Sequence, residues 1–221
     1  MEQIILTNGS YIQISVTENQ RLFSRMLVEH SLRHHHVANI WDEHGTELSR
    51  TRMMRFTGSL GEIVFADAYH LPRPQRAFGA EQGQDWGQDF EIRSDSEVFS
   101  LDIKSMKRNS GLLYSHYVIN IPSSQLNKTG SKTSHYFCIS FHQSASEGTV
   151  ASLLGFIDKQ SLISGETGKL YKAGSKRIRY DSTHFTFHQD TYEVLFSEMD
   201  PPVVTHFIRN LPGFKICHLK N

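Results

Sequence analysis

The sequence predicts an α/β protein with a central mixed β-sheet flanked by helices. Two observations lead to this class. Apolar residues recur at helical spacing in the first third of the chain, and between residues 89 and 158 they alternate with a period of two, as strands do. Helices that precede a run of strands, followed by mixed elements, favour one layered α/β domain.

Composition agrees with a single folded domain. The chain has 221 residues, of which 38% are apolar and 21% are charged, as in ordinary globular proteins. Lys and Arg number 23 and Asp and Glu also number 23, so the net charge does not select nucleic acid as a partner. No secretory signal is recognised at the start, and no apolar run reaches the ~20 residues of a membrane span. We therefore expect no membrane partner.

The two cysteines, Cys138 and Cys217, are far apart and show no metal-ligand spacing. Thiols of this kind are typical of reducing compartments. We expect both to be reduced and buried, and the protein to be cytoplasmic.

Two helices are predicted in the first third. The segment "TENQ" (17–20) has capping-box spacing and precedes apolar residues on one stripe, namely Leu22, Phe23, Met26 and Leu27. This helix should end near the histidines 34–36, and "DEHG" (42–45) should form a turn. A second helix is predicted over 49–69, where the prolines of "LPRPQ" end it.

The strands follow. "DFEIRS" and "EVFSLDIKSM" alternate with period two around a polar turn near Asp95, which predicts a hairpin. Further strands are predicted at 117–121, 135–142, 149–158 and, late in the chain, 185–188. A short helix should begin with "DKQSLI", and another should cover "TYEVLFSEM" (191–199) up to "DPP".

These elements define the predicted organisation of one domain over residues 1–221. An N-terminal helical region occupies 1–50 and a core occupies 55–165. A C-terminal extension with a basic loop occupies 166–221.

Acidic and basic residues are placed together in the middle of the core. In the strand 98–106, Asp102 and Lys104 share one face, about 7 Å apart along the strand at ~3.3 Å per residue. The predicted hairpin folds Asp89 back toward Asp102. Two converged carboxylates repel unless a cation lies between them, and Mg²⁺ favours such oxygen ligands. A plain Asp–Lys ion pair is the alternative interpretation.

Glu62 lies in an otherwise apolar helical run beside Gly61, with Gly58 and Ala66 one turn away on either side. Small neighbours let a helix approach a sheet closely. A buried acid there needs a partner, which the aspartates' metal or Lys104 would provide; a solvated glutamate is the alternative.

The order of these residues resembles the PD-(D/E)xK nuclease superfamily. Its motif is a helix glutamate, then an aspartate, then acid-x-lysine on the next strand, matched here by Glu62 in "GSLGEIVFADAYHL", Asp89 in "DWGQDFEI" and Asp102-Ile103-Lys104 in "LDIKSM". The similarity covers about residues 55–165. Gln88 stands where the motif has proline. The resemblance implies a restriction-endonuclease-like core that hydrolyses phosphodiester bonds with Mg²⁺, for which Mn²⁺ could substitute.

The resemblance also implies roles for the site residues. Asp89 and Asp102 would hold the metal, and the Ile103 carbonyl could add a ligand. Glu62 would hold the surrounding waters or a second ion. Lys104 would orient the attacking water or stabilise developing charge.

Basic residues suggest where DNA would bind. Lys107 and Arg108 continue the central strand, and the segment "KLYKAGSKRIRY" (169–180) carries five cations and no acid. A solvated loop is the alternative interpretation of this segment. Its candidates for phosphate contact are Lys172, Lys176, Arg177 and Arg179.

Uncharged side chains could also contact the substrate. Tyr171 and Tyr180 lie within the basic segment and could stack on bases. Gln125, in "IPSSQL", follows the strand after the site and could contact substrate or metal-bound water.

The function expected from these observations is a Mg²⁺-dependent endonuclease acting on double-stranded DNA. A type II restriction or phage-defence enzyme fits, and such an enzyme would act as a homodimer that matches two DNA strands. The alternatives are a repair or recombination nuclease that recognises DNA structure, and a non-catalytic nucleic-acid-binding protein on the same fold.

Overall fold

The computed structural model describes residues 4–34, 48–74, 89–93, 98–180 and 182–221. Two predicted turns, at 42–45 and near Asp95, lie outside the described residues, as does Gln88. The helices are α1 (Glu18–His34), α2 (Leu48–Ala68), α3 (Ser123–Leu126), α4 (Lys159–Ser164) and α5 (His206–Arg209).

Eleven strands occur in the part of the chain that the structure describes. They are β1 (Ser10–Ser15), β2 (Phe90–Arg93), β3 (Val98–Lys107), β4 (Val118–Pro122), β5 (His135–Ser144), β6 (Gly148–Asp158), β7 (Lys169–Tyr171), β8 (Lys176–Ile178), β9 (His184–Thr186), β10 (Thr191–Leu195) and β11 (Lys215–His218).

Six strands form the central sheet, in the order β11-β1-β6-β5-β3-β2. The neighbours β3 and β5 run parallel, whereas the other neighbouring pairs are antiparallel. The predicted mixed sheet is therefore confirmed. The predicted hairpin is confirmed as well, because β2 pairs with β3 in a register that sets Phe90 opposite Leu101.

Helices lie on both faces of this sheet. On one face, Leu60 and Val64 of α2 and Ile208 of α5 pack against Leu101 and Ile103 of β3. On the other, Leu126 of α3 and Leu162 of α4 belong to a second core with Tyr136 and Cys138 of β5. That second core also contains Ile119, Ile121 and Val194 from a small sheet of order β4-β10-β7.

The first helix begins as predicted but buries a different face. The Thr17 amide donates to Gln20 Oε1 at 2.9 Å and the Gln20 amide donates to Thr17 Oγ1 at 3.2 Å, which completes the capping box. Leu27 is buried, whereas Leu22 and Met26 are exposed. The predicted stripe is wrong at these two positions because α1 packs partly through polar groups: Ser24, fully buried, donates to the Phe56 carbonyl of α2.

The prediction of a helix over 191–199 is wrong. The chain forms β10 (Thr191–Leu195), which pairs with β4 on one side and β7 on the other, followed by a short 3₁₀ turn at Phe196–Glu198. Its apolar spacing fits a helix, but two partner strands offer hydrogen bonds on both edges. Tertiary pairing thus overrides the local pattern.

The ends of the chain contribute strands that sequence reasoning missed. β1 lies within the region predicted to be helical and pairs with both β6 and β11. The C-terminal extension likewise supplies β11 to the same sheet. Residues from both termini therefore complete the central sheet.

The sequence also led to expectations for the two cysteines and for membrane-spanning helices. Both cysteines are free thiols, and Cys138 is buried as predicted, but Cys217 is only half-buried. Among the described residues, no helix is both long and apolar enough to cross a membrane.

Candidate functional site

The candidate site lies on β3, where side chains alternate between two environments. Leu101 and Ile103 are buried against the helices α2 and α5. Asp102 and Lys104 project from the opposite face, beside Tyr136 and Cys138 of the parallel neighbour β5. The period of two thus places the acid and the lysine together, as expected.

Asp102 and Lys104 form a close ion pair. Lys104 Nζ lies 2.6 Å from Asp102 Oδ1 and 2.7 Å from Oδ2, so both carboxylate oxygens accept from one ammonium group. The two side chains are 19% and 20% exposed, which leaves the pair reachable from solvent but largely shielded. Lys104 Nζ also lies 5.4 Å from the centre of the Tyr136 ring. The close contact between Lys104 and Asp102 is compatible both with a plain ion pair and with a catalytic metal site.

Asp89 is positioned by the backbone of β3. Its amide donates to the Leu101 carbonyl at 2.7 Å, and its Oδ2 accepts from the Ile103 amide at 2.6 Å. The Leu101 carbonyl and the Ile103 amide lie on either side of Asp102 along β3, so these two bonds hold Asp89 beside Asp102. The fold therefore brings the two aspartates to neighbouring positions.

The side chains beside this ion pair, Tyr136 and Cys138, are buried and uncharged. Burial raises the pKa of the Tyr136 hydroxyl, and the nearby Asp102 charge raises it further. Burial also raises the pKa of the Cys138 thiol, against an opposing effect of Lys104. Neither group therefore adds charge near neutral pH. A low local dielectric constant strengthens the electrostatic interactions among Asp102, Lys104 and any bound ion.

Glu62 reaches the region from another direction. It is half-buried on α2, and α2 covers the face of β3 that carries Ile103. The neighbouring Gly61 packs against Ser105 and Ile103, where a Cβ would overlap Ser105 Oγ. Glu62 is thus held close to the sheet by the small neighbour predicted to allow it, but from the side opposite Asp102.

The donors available to a cation are few. Among the described residues, no group of three or more His, Cys, Asp or Glu side chains is arranged to hold a metal ion. Asp89 and Asp102 supply carboxylates at neighbouring positions, and the Ile103 carbonyl is close in the chain. Hard cations such as Mg²⁺ are often held by only one or two carboxylates together with water and phosphate oxygens. These residues fit Mg²⁺ if Lys104 breaks one of its two hydrogen bonds to the Asp102 carboxylate.

The cations that follow the site differ in their surroundings. Lys107 is exposed at the end of β3. Arg108 is packed between rings, with its guanidinium carbon 4.4 Å from the centre of Tyr117 and 4.9 Å from that of Phe196. It also donates to the Val118 carbonyl at 3.1 Å, and burial lowers its pKa. This geometry assigns Arg108 to packing rather than to the predicted phosphate contact.

The basic segment 169–180 is structured, so it is not the predicted loop. It contains β7 and β8, and β8 forms a hairpin with β9. Arg177 pairs with the buried Glu193 at 2.8 Å, and Lys172 pairs with Asp190 at 2.8 Å. Arg179 lies 4.8 Å from the centre of the Phe185 ring, whereas Lys176 is exposed. Arg177 is therefore occupied internally, and the other three remain accessible.

Two further features bear on ligand contact. Tyr180, one of the two predicted stacking residues, is 87% exposed and stacks on His116, with ring centres 4.4 Å apart and planes at 21°. Sequence reasoning missed His116 because it is distant in the chain. Tyr171 stacks internally on Phe187, with ring centres 4.6 Å apart. Gln125 lies in α3, where its Oε1 is buried and accepts no hydrogen bond within the described part of the chain.

Comparisons with models of known protein families, with curated proteins and with solved structures found no match to this chain. The resemblance to the nuclease superfamily therefore depends on the residues and the order of elements given above.

Proposed function

We propose that the protein is a Mg²⁺-dependent endonuclease that hydrolyses phosphodiester bonds in DNA. The observation that carries this proposal is the position of Asp89, which is hydrogen-bonded to the Leu101 carbonyl and the Ile103 amide on either side of Asp102. Two carboxylates and a lysine within one hairpin supply the charges that phosphodiester hydrolysis requires. The restriction-endonuclease-like core belongs to this same proposal.

Each residue has a role in the proposed reaction. Asp89 and Asp102 would hold Mg²⁺, with the Ile103 carbonyl as a further candidate ligand. Glu62 lies on the opposite side of the sheet and is not assigned to this ion. When bound, the ion would polarise the phosphate and lower the pKa of a bound water. The Ile103 amide orients Asp89. Lys104, already within hydrogen-bonding distance of Asp102, would turn toward the phosphate and stabilise its developing negative charge.

The proposed substrate is double-stranded DNA. Phosphates would be contacted by Lys107 at the end of β3 and by Lys172, Lys176 and Arg179 of the basic segment. A restriction or phage-defence role fits a cytoplasmic enzyme of this size, which would act as a homodimer on two strands. Gln125, with its buried unpaired oxygen, is a candidate contact to water near the substrate.

One observation favours a repair or recombination nuclease instead. The stacked pair His116 and Tyr180 presents an exposed aromatic face, and unpaired bases stack on such faces. A non-catalytic nucleic-acid-binding protein has support too, because Lys104 already neutralises both oxygens of Asp102.

Incubation with supercoiled plasmid, linear duplex and single-stranded DNA separates these functions. Each substrate is tested with Mg²⁺, with Mn²⁺ and with EDTA. Discrete fragments from duplex DNA support a sequence-specific enzyme, and products from single-stranded DNA alone support the repair function. Binding without products under every metal condition would leave the non-catalytic alternative.

A further inference from the structure

We propose that a second site, a cavity of about 570 Å³ between α1, α2 and the central sheet, binds a small organic phosphate of the size of a mononucleotide. The cavity lies on the face of the sheet that α2 covers, away from the face that carries Asp102 and Lys104. Its ligand would be a second one beside the DNA strand proposed above, with Lys107 as the residue that both would contact, and the inference does not depend on nuclease activity.

The position of the cavity is typical of ligand sites in α/β proteins. Lys107 ends β3, and Phe141 lies opposite it on the parallel strand β5, close to that strand's carboxyl end. Both residues line the cavity. Ligands of α/β sheets usually bind in crevices at the carboxyl ends of parallel strands. The volume also falls within the range of ~300–1,000 Å³ that is usual for small-molecule pockets.

The inner wall of the cavity is apolar and partly aromatic. Leu60, Phe141 and Val28 are buried, and Phe56 lies half-buried beside them. Such a wall accepts a flat apolar body, whereas inorganic phosphate alone would leave it unfilled. The ligand should therefore combine a ring system with a charged group.

The rim carries more positive than negative charge. Arg52 pairs with Glu29 at 2.9 Å, and Arg21 pairs with Glu18. Arg25 and Lys107 line the same cavity and form no ion pair with any residue in the described ranges. Burial lowers the pKa of His142, so its ring adds little charge near neutral pH. Two uncompensated cations beside an apolar wall select an anionic ligand.

Arg21 also lines the cavity, but its guanidinium already pairs with Glu18 and its Nε is shielded from solvent. Direct contacts to a phosphate would therefore come from Arg25 and Lys107, which are exposed at the rim. Guanidinium and ammonium groups both bind phosphate oxygens well.

Isothermal titration calorimetry with adenosine 5′-monophosphate tests the proposal on the full chain. The comparison ligands are adenosine, which lacks the phosphate, inorganic phosphate, which lacks the ring, and decanoate, which carries an apolar chain and a carboxylate. Arg25→Gln and Lys107→Gln remove the two uncompensated charges from exposed positions. Lys132→Gln removes an exposed charge elsewhere and serves as the control. Thermal unfolding of each variant establishes that it is folded.

The expected result is saturable binding of the nucleotide that exceeds the binding of adenosine and of phosphate. Arg25→Gln and Lys107→Gln should each weaken it about tenfold, as loss of a charged hydrogen bond predicts, and Lys132→Gln should not. Tighter binding of decanoate would overturn the assigned ligand class. Absence of binding by every ligand at millimolar concentration, or equal affinity in wild type and both variants, would overturn the site. A titration without DNA or metal keeps this outcome separate from any failure of nuclease activity.

Discussion

The carboxylate of Asp89 accepts a 2.6 Å hydrogen bond from the backbone amide of Ile103, the residue that follows Asp102 on β3. This bond ties the acid at the start of β2 to the strand that carries Asp102 and Lys104. A side chain held by a backbone donor needs no other side chain to fix its direction. The candidate site is therefore partly built before any ion or substrate arrives.

Replacing Asp89 in two ways separates its charge from its hydrogen bond. Asp89→Asn keeps an oxygen for the Ile103 amide, whereas Asp89→Ala leaves that amide unpaired. We expect only the alanine variant to lose stability, by about 1–3 kcal/mol, and both variants to lose Mg²⁺-dependent cleavage. Urea unfolding measures the first effect and plasmid cleavage the second. Full cleavage by Asp89→Asn would remove Asp89 from the metal site.

Lys104→Met tests whether Lys104 competes with a cation. The ammonium holds both oxygens of Asp102, so its removal should leave a poorly solvated carboxylate and lower stability by about 1–3 kcal/mol. Added Mg²⁺ should then raise the melting temperature of this variant more than that of the wild type, by mass action. The double variant Asp102→Asn with Lys104→Met is the control and should not respond. An identical Mg²⁺ response in Lys104→Met and wild type would indicate an ion pair without metal affinity.

Arg177 should behave as a structural residue. Its partner Glu193 is only 7% exposed, and burial raises the pKa of that carboxyl against the opposing effects of Arg177 and Lys169. Arg177→Ala should destabilise the fold by about 2 kcal/mol, less than a fully buried pair would lose because Arg177 is partly solvated. Adding Glu193→Gln should recover part of this loss. Additive effects in the double-mutant cycle would contradict the coupling.

The accessible cations of the basic segment should govern salt dependence. Changing Lys172, Lys176 and Arg179 together to serine should weaken duplex binding and reduce the log–log salt slope by about 0.9 for each phosphate that is no longer neutralised. Arg177 is left in place to preserve the pair with Glu193. Fluorescence anisotropy at several salt concentrations gives the slope, with Lys132→Ser as the matched control. An unchanged slope would show that these three residues do not contact DNA phosphates, and Lys107 would be the next candidate to test.

Gly61→Ala should disturb the packing of α2 on β3. A Cβ at this position would overlap Ser105 Oγ, so we expect a loss of about 1–3 kcal/mol from overpacking, despite the better helix propensity of alanine. Ser105→Gly in the same chain should restore much of it. Thermal unfolding of the two single variants and the double variant measures the effect. Wild-type stability of Gly61→Ala would show that α2 does not depend on this close approach.

The second helix and the central hairpin could be predicted because their sequence patterns are local. The apolar spacing predicts a helix over 49–69, and α2 occupies Leu48–Ala68. The alternation around Asp102 and Lys104 likewise identifies the face that they share. β11 has only four residues and depends on β1 as a partner. β10 has helix-like apolar spacing, and only its two neighbouring strands decide its conformation.

The surroundings of the site were less accessible to sequence reasoning. The neighbouring positions of Asp89 and Asp102 follow from a hairpin, which the alternating pattern indicates. The rings that enclose Arg108 come from Tyr117 and Phe196, and Glu193 meets Arg177 from a different strand. Contacts between residues far apart in the chain depend on the assembled fold, and no spacing rule reports them.

The most direct test of the proposed function is the initial rate of supercoiled plasmid relaxation by wild type and Asp102→Asn, measured side by side across a Mg²⁺ titration. Both proteins are purified identically and shown to be fully folded at the assay temperature and to have the same DNA affinity. We expect cleavage by wild type that depends on Mg²⁺ and disappears in EDTA. The rate of Asp102→Asn should be at least about a hundredfold lower, as expected when an electrostatic catalytic group is removed. Equal rates for the two proteins, or no cleavage by wild type at any Mg²⁺ concentration, would contradict the proposed metal-dependent nuclease site.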